Sequence, residues 1–423
     1  MNSYFSKAIE NLIEWIKIKS VKSEPLPNAP FGENVLKMLK KALQDGEKLG
    51  FKSVNYDGYI GEIIFGEGDD ESALAILCHL DVVPEGDLNA WKFNPYGAVI
   101  ENGVLYGRGV VDDKAPAILC LYALKELKDG GFVPNRKIKL ILGCDEESGW
   151  GCIEHYKKVA VMPKEGFSPD GDFPVLYAEK GILHIEYLFE IDSSVVSFSG
   201  GERVNVVCDK ASVKLNKTPN FEVPDELMIS GKEITALGKT AHGSTPEKGD
   251  NAIKKLLKLL ADNGLFSKKS YCALFEDFYG LTKICDQTGT LTFSPNVINL
   301  ENGKLKIKVD VRYPSTKNRE EIIKELKKVG EFTILHEQNP LYSDKNGKLV
   351  KTLLEVYENY TLKKCEPQTT GGGTYARALE NGVAFGPSER GEDKCHMPNE
   401  NMSLKDLEKS YEIYKGAIKK LCE

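Results

Sequence analysis

Four short segments of the chain, one of which contains histidine, place acidic residues where an apolar run or a glycine-containing turn ends. They are His79-Leu-Asp81, Asp112-Asp113, Asp145-Glu146-Glu147 and Ser168-Pro-Asp170, found in LAILCHLD, YGRGVVDD, LILGCDEE and EGFSPD. Carboxylate and imidazole groups are common ligands of divalent metal ions. Carboxylates held close together repel one another unless a positive charge lies between them. If the segments meet, they predict a site for one or two divalent metal ions.

Each segment taken singly is typical of ordinary structure. A His-x-Asp at a strand end is commonly a polar turn, and the DEES run could cap a helix that begins near Gly149. His396, in KCHMPNE, would be a surface histidine in most proteins. The shared position favours a common site, because the carboxyl ends of strands in an open α/β sheet form the crevice where ligands bind.

The apolar pattern up to about residue 170 predicts alternating helices and strands. Helices are predicted over 4–18, 31–49, 115–128 and 149–159, and strands over 59–65, 72–80 and 137–143. The segment SALAILCHL is almost wholly apolar, which indicates a buried central strand. Strands separated by helices predict an α/β layer with a mixed, mostly parallel sheet.

The pattern changes after Gly181. Predicted strands over 182–189, 203–214, 232–238 and 305–313 have mixed polarity, and helices are predicted over 251–260 and 318–329. From Pro340 the first pattern returns, with a helix over 346–360, a strand over 383–385 and a helix over 403–421 capped by Ser403. We therefore predict an α/β catalytic domain of residues 1–182 and 339–423, interrupted by a smaller α+β domain of residues 183–338.

Composition narrows the class of protein. The 423 residues are 41% hydrophobic and 28% charged, which is ordinary for a globular protein of about two domains. A net charge of −7 without a basic block argues against a nucleic-acid partner. The first 20 residues predict an amphipathic helix rather than a signal peptide, and no apolar run is long enough to span a membrane. Ten scattered cysteines without a CxxC pair favour reduced thiols in a cytoplasmic protein.

The motifs, taken in order, resemble the aminoacylase, carboxypeptidase and desuccinylase superfamily of co-catalytic zinc peptidases, and most closely its PepV-type bacterial dipeptidases. The resemblance covers nearly the whole chain. Its segments are HLDVVPEG (79–86), LYGRGVVDDKAP (105–116), GCDEESGWGC (143–152), FSPDGDFPVLYAEKG (167–181), GKTAHGSTPEKGDNA (238–252), VDVRYP (309–314), GGGTYARALENGVAFGP (371–387) and CHMPNEN (395–401). The resemblance implies a hydrolase with a phosphorylase/hydrolase-like catalytic domain and an α+β lid domain.

The resemblance also implies two divalent metal ions, with zinc expected first and manganese or cobalt as alternatives. His79 and Asp170 would bind one ion, and Glu147 and His396 the other. Asp112 would bridge the two ions, which in hydrolytic sites of this kind lie about 3.5–4 Å apart.

Further roles follow for residues beside the ligands. Glu146 would be the general base, taking a proton from a metal-bridging water and passing it to the leaving amine. Asp81 would accept the second ring N–H of His79 and so orient the imidazole. In the family the Asp112–Asp113 peptide is cis.

The resemblance assigns substrate contacts to the interrupting domain and the glycine run. His242 would stabilise the oxyanion, and Arg312 would bind the substrate's C-terminal carboxylate. Asn205 and Gly373 would complete the carboxylate pocket, which favours short peptides with a free C-terminus. The segment 214–232 is shorter than in PepV-type enzymes. A monomer and a homodimer through the lid domain therefore both stay open, as does whether His242 acts in its own chain or its partner's.

Three other functions can be weighed on the sequence. A phosphate-binding loop at Gly238-Lys239-Thr240 would need a glycine where Glu233 stands, so this reading fails. An inactive metal-binding homologue would be expected to lack Glu146 or a ligand, and all are present. N-acyl amino acid deacylation and tripeptide aminopeptidase activity remain alternatives on the same two-metal site.

Overall fold

The computed structural model describes residues 2–389 and 395–423, which fold into two compact units. The first unit comprises the described residues of Met1–Tyr177, Tyr342–Gln368 and Thr374–Glu423. The second unit comprises Ala178–Leu341 together with Thr369–Gly373. The glycine run at 371–373 therefore belongs to the second unit, whereas the sequence pattern placed it in the second part of the catalytic domain.

The helices of the first unit lie close to their predicted positions. They are Ser3–Ile16, Glu33–Lys48, Lys114–Asp129, Gly151–Val159, Lys348–Thr361 and Leu404–Leu421. The predicted cap of the last helix is confirmed, because Ser403 Oγ accepts the main-chain N–H of Asp406 at 3.0 Å. Within the described part of the chain, none of the helices combines the length and apolar character needed to cross a membrane.

A mixed sheet forms the centre of the first unit. Its strands run in the spatial order Lys52–Tyr56, Ile60–Phe65, Ile138–Gly143, Leu74–His79, Glu165–Ser168 and Asn381–Ala384. The first two strands are antiparallel to their neighbours, and the last four are mutually parallel. The prediction of an α/β fold with a mixed, mostly parallel sheet is confirmed. The four parallel strands bring their carboxyl ends to one edge of the sheet.

Smaller strands complete the first unit. Asn401–Ser403 pairs with Val104–Tyr106, which also pairs with Val99–Glu101. Gly171–Phe173 pairs with Pro387–Glu389. The short strands Leu176–Glu179, Leu341–Tyr342 and Gln368–Thr370 lie where the chain passes from one unit to the other.

The second unit is built on an antiparallel sheet. Its strands follow the spatial order Leu227–Ser230, Glu233–Leu237, Lys210–Leu215, Val195–Gly200, Thr292–Glu301, Lys304–Tyr313, Gly181–Glu190 and Phe332–Gln338. Helices Ala252–Asp262, Lys268–Phe275 and Arg319–Leu326 contribute apolar side chains to the same core as the sheet. A separate short ribbon pairs Cys285–Asp286 with Gly289–Thr290.

Several predictions for the second unit were wrong or incomplete. The strand predicted over 203–214 begins only at Lys210, because residues 201–209 form a loop in which Val206 bridges His242. The prediction missed Val195–Gly200, Thr292–Glu301, Phe332–Gln338 and the helix Lys268–Phe275. In the first unit it missed Lys52–Tyr56, which follows the second helix with only a short connection.

Candidate metal centre

The carboxyl ends of the parallel strands deliver acidic and histidine side chains to one place in the first unit. His79 is the last residue of Leu74–His79, and Asp170 follows Glu165–Ser168 by two residues. Glu147 lies in the loop that follows Ile138–Gly143. These three side chains occupy the edge where strand ends meet, as the sequence pattern predicts.

Asp112 lies between two histidines and turns one carboxylate oxygen toward each. Its Oδ1 is 2.7 Å from His79 Nε2, and its Oδ2 is 2.9 Å from His396 Nε2. His79 Nε2 is 3.8 Å from Asp170 Oδ2, whereas His396 Nε2 is 3.1 Å from Glu147 Oε2. The five side chains therefore fall into two sets that share Asp112.

The three consecutive acids after Ile138–Gly143 have different positions. Asp145 turns toward the following helix, where its Oδ2 accepts the main-chain N–H of Gly151 at 2.9 Å and its Oδ1 contacts Lys22 Nζ at 2.6 Å. Glu147 points to His396, and Glu146 lies half-buried beside it. The capping role suggested for the DEES run is thus real, but only Asp145 performs it.

Asp81 supports the site differently from the prediction. The Nδ1 of His79 lies 2.9 Å from the main-chain oxygen of Asp81 and 3.6 Å from its Oδ1. The carboxylate instead accepts the main-chain N–H groups of Glu146 and Glu147, each at 3.1 Å. The expected side-chain acceptor for His79 is therefore replaced by the backbone, and the Asp81 side chain anchors the loop that carries the two glutamates.

Two residues that the sequence analysis did not select also support His79. Asp113 is fully buried, and its Oδ2 accepts the main-chain N–H of His79 at 3.0 Å. The Asp112–Asp113 peptide is cis, as the resemblance implies. Tyr375 packs edge-on against the His79 ring at 6.0 Å between centroids. The sequence shows that Tyr375 follows the glycine run, but it does not show that its ring contacts His79.

The electrostatics of the cluster show crowded negative charge. Burial, followed by the charge of Asp112, raises the pKa of Asp170 to about 7. Burial is also the main cause that raises the pKa of Glu146 well above its ordinary value. Burial opposes protonation of His79, but the carboxylates of Asp112, Asp81 and Asp170 together outweigh it and raise the pKa of that imidazole. A divalent cation would offset this repulsion and favour the ionised carboxylates.

Ligand atoms in the cluster are buried without hydrogen-bond partners. This holds for three atoms: His79 Nε2, Asp112 Oδ1 and Glu147 Oε1. The first two of these atoms lie 2.7 Å apart. One ligand atom from each of these three residues lies within 4.8 Å of the other two. Buried polar atoms normally have partners, so converging lone pairs without them fit a metal ion. The residues present therefore suit the metal ions that the resemblance implies.

The substrate-contact residues suggested by the resemblance all lie in the second unit. The guanidinium of Arg312 is held by Asp310, with Nε to Oδ1 at 2.7 Å and Nη2 to Oδ2 at 3.0 Å. Arg312 Nη1 faces the main-chain oxygen of Gly371 at 3.4 Å. The Arg312 side chain is buried. Asp310 binds the N–H groups on one edge of the guanidinium, which leaves those of Nη1 and one of Nη2 for other acceptors.

His242 and Asn205 lie on adjoining backbone segments of the second unit. The main-chain oxygen of Asn205 accepts the N–H of Gly243 at 2.7 Å, and the exposed His242 ring contacts Ser244 Oγ through Nδ1 at 2.6 Å. Gly243 packs so tightly that a Cβ there would lie 2.2 Å from Asp310 Oδ2. Asp310 therefore lies between the His242 loop and Arg312.

A family comparison agrees with this geometry. The sequence matches the model of Peptidase family M20/M25/M40 over residues 75–420, which is most of the chain. The chain belongs to this family. It is a metallopeptidase, and membership of this family implies divalent metal ions.

Relatives of the family cover the chain almost completely. The Bacillus subtilis protein named "Putative dipeptidase YtjP" is 35% identical in an alignment 453 positions long, which covers 98% of this chain and 97% of the relative. Among solved structures, human carnosine dipeptidase 1 has a TM-score of 0.64 at 13% identity, covering 99% of this chain and 96% of that one. A metallo-carboxypeptidase of the family from Sulfolobus solfataricus has a TM-score of 0.62 at 19% identity, covering 99% of each chain. These structural matches support the shared fold.

Proposed function

We propose that the protein is a dipeptidase that hydrolyses short peptides with a free C-terminal carboxylate at a centre of two divalent metal ions. The observation that carries the proposal is the position of Asp112, whose two oxygens lie 2.7 Å and 2.9 Å from the imidazoles of His79 and His396. A carboxylate that faces two separate ligand sets is suited to bridge two cations.

The ligand sets divide as the distances suggest. His79 and Asp170 would hold one ion, His396 and Glu147 the other, and Asp112 both. Zinc is the proposed metal, because nitrogen and carboxylate ligands suit it, and manganese or cobalt could replace it. When bound, the two ions would supply Lewis-acid chemistry and lower the pKa of a coordinated water toward about 7.

Glu146 would move the proton. The Asp81 carboxylate accepts the main-chain N–H of Glu146. The carboxyl group of Glu146 itself lies among the charged side chains of the proposed ligands. As a carboxylate it would accept a proton from the attacking water as the new carbon–oxygen bond forms. It would then donate that proton to the leaving nitrogen as the carbon–nitrogen bond breaks, which yields an amine and a carboxylic acid that then loses its remaining proton to solvent. Cations at the ligand sets would favour the ionised form that this step needs.

The second unit would supply the remaining substrate contacts. We assign oxyanion stabilisation to His242 and recognition of the C-terminal carboxylate to Arg312. Asn205 and Gly373 would complete the carboxylate pocket. The alternative substrates, N-acyl amino acids, share the free carboxylate, whereas tripeptides extend the substrate by one residue.

Assembly and location belong to the same proposal. The protein would act as a monomer or as a homodimer through the second unit. Mixing a Glu146→Ala variant with a His242→Ala variant tests whether His242 acts in its own chain or its partner's, because activity reappears only if His242 serves a partner's site. A reducing, cytoplasmic location is supported by free thiols, several of which are buried, such as Cys78 and Cys120.

Metal removal combined with a substrate panel tests the proposal. Chelation should abolish dipeptide hydrolysis, and zinc, manganese or cobalt should restore it at two ions per chain. The reconstituted protein is then assayed with dipeptides, amidated dipeptides, tripeptides and N-acyl amino acids by amine release. Activity that survives thorough chelation would refute the metal mechanism. Faster release from N-acyl amino acids or tripeptides than from dipeptides would reassign the substrate.

A further inference from the structure

A buried ion pair lies behind the metal ligands of the first unit. Arg108 Nη1 donates to Glu400 Oε2 at 2.7 Å, and the side chains are 2% and 0% exposed. Burying such a pair costs free energy, and removing one partner is strongly destabilising. The contacts that the pair makes therefore indicate what it does at this position.

The second oxygen of Glu400 binds the loop that presents Asp112. Glu400 Oε1 accepts the main-chain N–H groups of Gly109 at 3.1 Å, Val111 at 2.8 Å and Asp112 at 3.3 Å. One carboxylate oxygen thus accepts three main-chain N–H groups of the same loop, including that of the residue proposed to bridge the ions. An ionised carboxylate accepts on both oxygens and suits such a nest, whereas the NH2 group of an amide cannot accept.

The pair also joins the other ligand segments. Glu400 follows His396 by four residues, and its main-chain oxygen accepts the N–H of Gly107 at 3.0 Å. Arg108 Nη2 lies 3.4 Å from the main-chain oxygen of Pro84, in the segment that begins at His79. One ion pair therefore contacts the three loops that carry His79, Asp112 and His396.

We propose that Glu400 is a positioning residue of the metal centre, which holds Asp112 in register with His396 while Arg108 anchors its carboxylate. This inference rests on the proposed two-metal function. A ligand that bridges two ions must lie within a few tenths of an ångström of both productive positions, so a displaced Asp112 weakens both sites at once. Supporting groups of this kind typically contribute about 10–100-fold in metal affinity.

The test compares two buried glutamates in the same unit. Glu62 is paired with Lys139 at 2.9 Å, with side chains 2% and 1% exposed, and its hydrogen-bond partners Tyr56, Lys139 and Tyr156 are not ligands. Glu400→Gln and Glu62→Gln therefore remove one buried charge each, but only the first touches the Asp112 loop. Cobalt and zinc binding to metal-free protein is measured by competition with a chromogenic chelator, together with the cobalt absorption spectrum and the Tm.

We expect both variants to lower Tm. Only Glu400→Gln should weaken binding of both ions, by about 10–100-fold, and alter the cobalt spectrum. If Glu400→Gln binds both ions as the wild type does, Glu400 is a structural residue and the proposal is overturned. If Glu400→Gln does not fold, Arg108→Lys serves instead, since it keeps the charge but loses the planar fork, and the same loss of affinity is expected. A wild-type protein that binds fewer than two ions would instead refute the two-metal function, independently of either variant.

Discussion

The carboxylate of Asp81 accepts the main-chain N–H of Glu146 through Oδ1 at 3.1 Å. Its other oxygen accepts the N–H of Glu147 at the same distance. Asp81 is almost fully buried, so these bonds are shielded from water. The side chain that follows His79 by two residues therefore sets the position of the proposed base and of a proposed ligand.

Asp81→Asn should impair catalysis more than it impairs folding. The amide can accept one of the two N–H groups, but its NH2 group would face the other donor and displace the loop. We expect kcat to fall by about 10–100-fold at saturating metal, the usual effect of losing a supporting contact. Steady-state kinetics with a dipeptide, together with Tm, give the answer. A variant with wild-type kcat would show that the loop holds its place without Asp81.

Glu146→Gln should separate proton transfer from metal binding. The amide has the shape of the carboxyl group but cannot accept the proton of the attacking water. We expect kcat to fall by at least about 10²–10⁴-fold, with metal content unchanged. Glu147→Gln is the matched comparison, because the neighbouring residue should lose metal as well as activity. Near-normal turnover by Glu146→Gln would refute its role as base.

Arg312→Lys should weaken recognition of the substrate carboxylate. Lysine keeps the positive charge beside the fully buried Asp310 but loses the planar fork. Loss of a hydrogen bond to a charged group is worth about 1.5–3 kcal/mol, so KM should rise by about 10–100-fold. The control is an amidated dipeptide, whose KM should stay close to the wild-type value. Equal losses for both substrates would contradict the carboxylate role.

His184 should make the second unit less stable in acid. Burial, which outweighs attraction to Asp310 at 3.7 Å, lowers the pKa of His184 to about 4, against 6.5 for an ordinary histidine. Between these values the unfolded chain binds a proton that the folded chain does not. This contribution to stability is therefore full above about pH 6.5 and falls as the pH drops toward 4, by on the order of 3 kcal/mol.

His184→Gln removes that proton and tests its contribution. Urea unfolding of metal-free protein at pH 7, 6 and 5 gives the slope of unfolding free energy with pH. The variant should have a shallower slope than the wild type, whatever its stability at pH 7, because other titrating groups are common to both proteins. Identical slopes would show that His184 does not take part in acid destabilisation.

Some strands of the second unit could not be found from local pattern. Thr292–Glu301 contains Pro295, and a proline normally argues against a strand inside a sheet. The structure accommodates it with a bulge between Pro295 and Val297, opposite Lys304–Tyr313. That compensation depends on the neighbouring strand, which lies later in the sequence. The residues next to Pro295 in the sequence therefore do not show that a strand can form there.

The clustering of the proposed metal ligands could be predicted because most of them follow a strand in the sequence. Parallel strands share one direction, so residues that follow them, such as His79 and Asp170, meet at one edge whatever the details of packing. The order of the family motifs then assigned roles to Glu146 and Glu147. The sequence by itself therefore determined the α/β class and the family, and it predicted the cluster of side chains that we propose as metal ligands.

Only the tertiary structure decided which main-chain groups each of the acidic side chains binds. Asp145 accepts the N–H of Gly151 at the start of a helix. The carboxylate of Asp81 accepts the N–H of Glu146, and that of Glu400 accepts the N–H of Asp112. These assignments depend on which main-chain N–H groups lie within about 3 Å, and the donors come from distant segments. Hydrogen bonds act over such short distances that only the folded backbone selects a partner for each carboxylate.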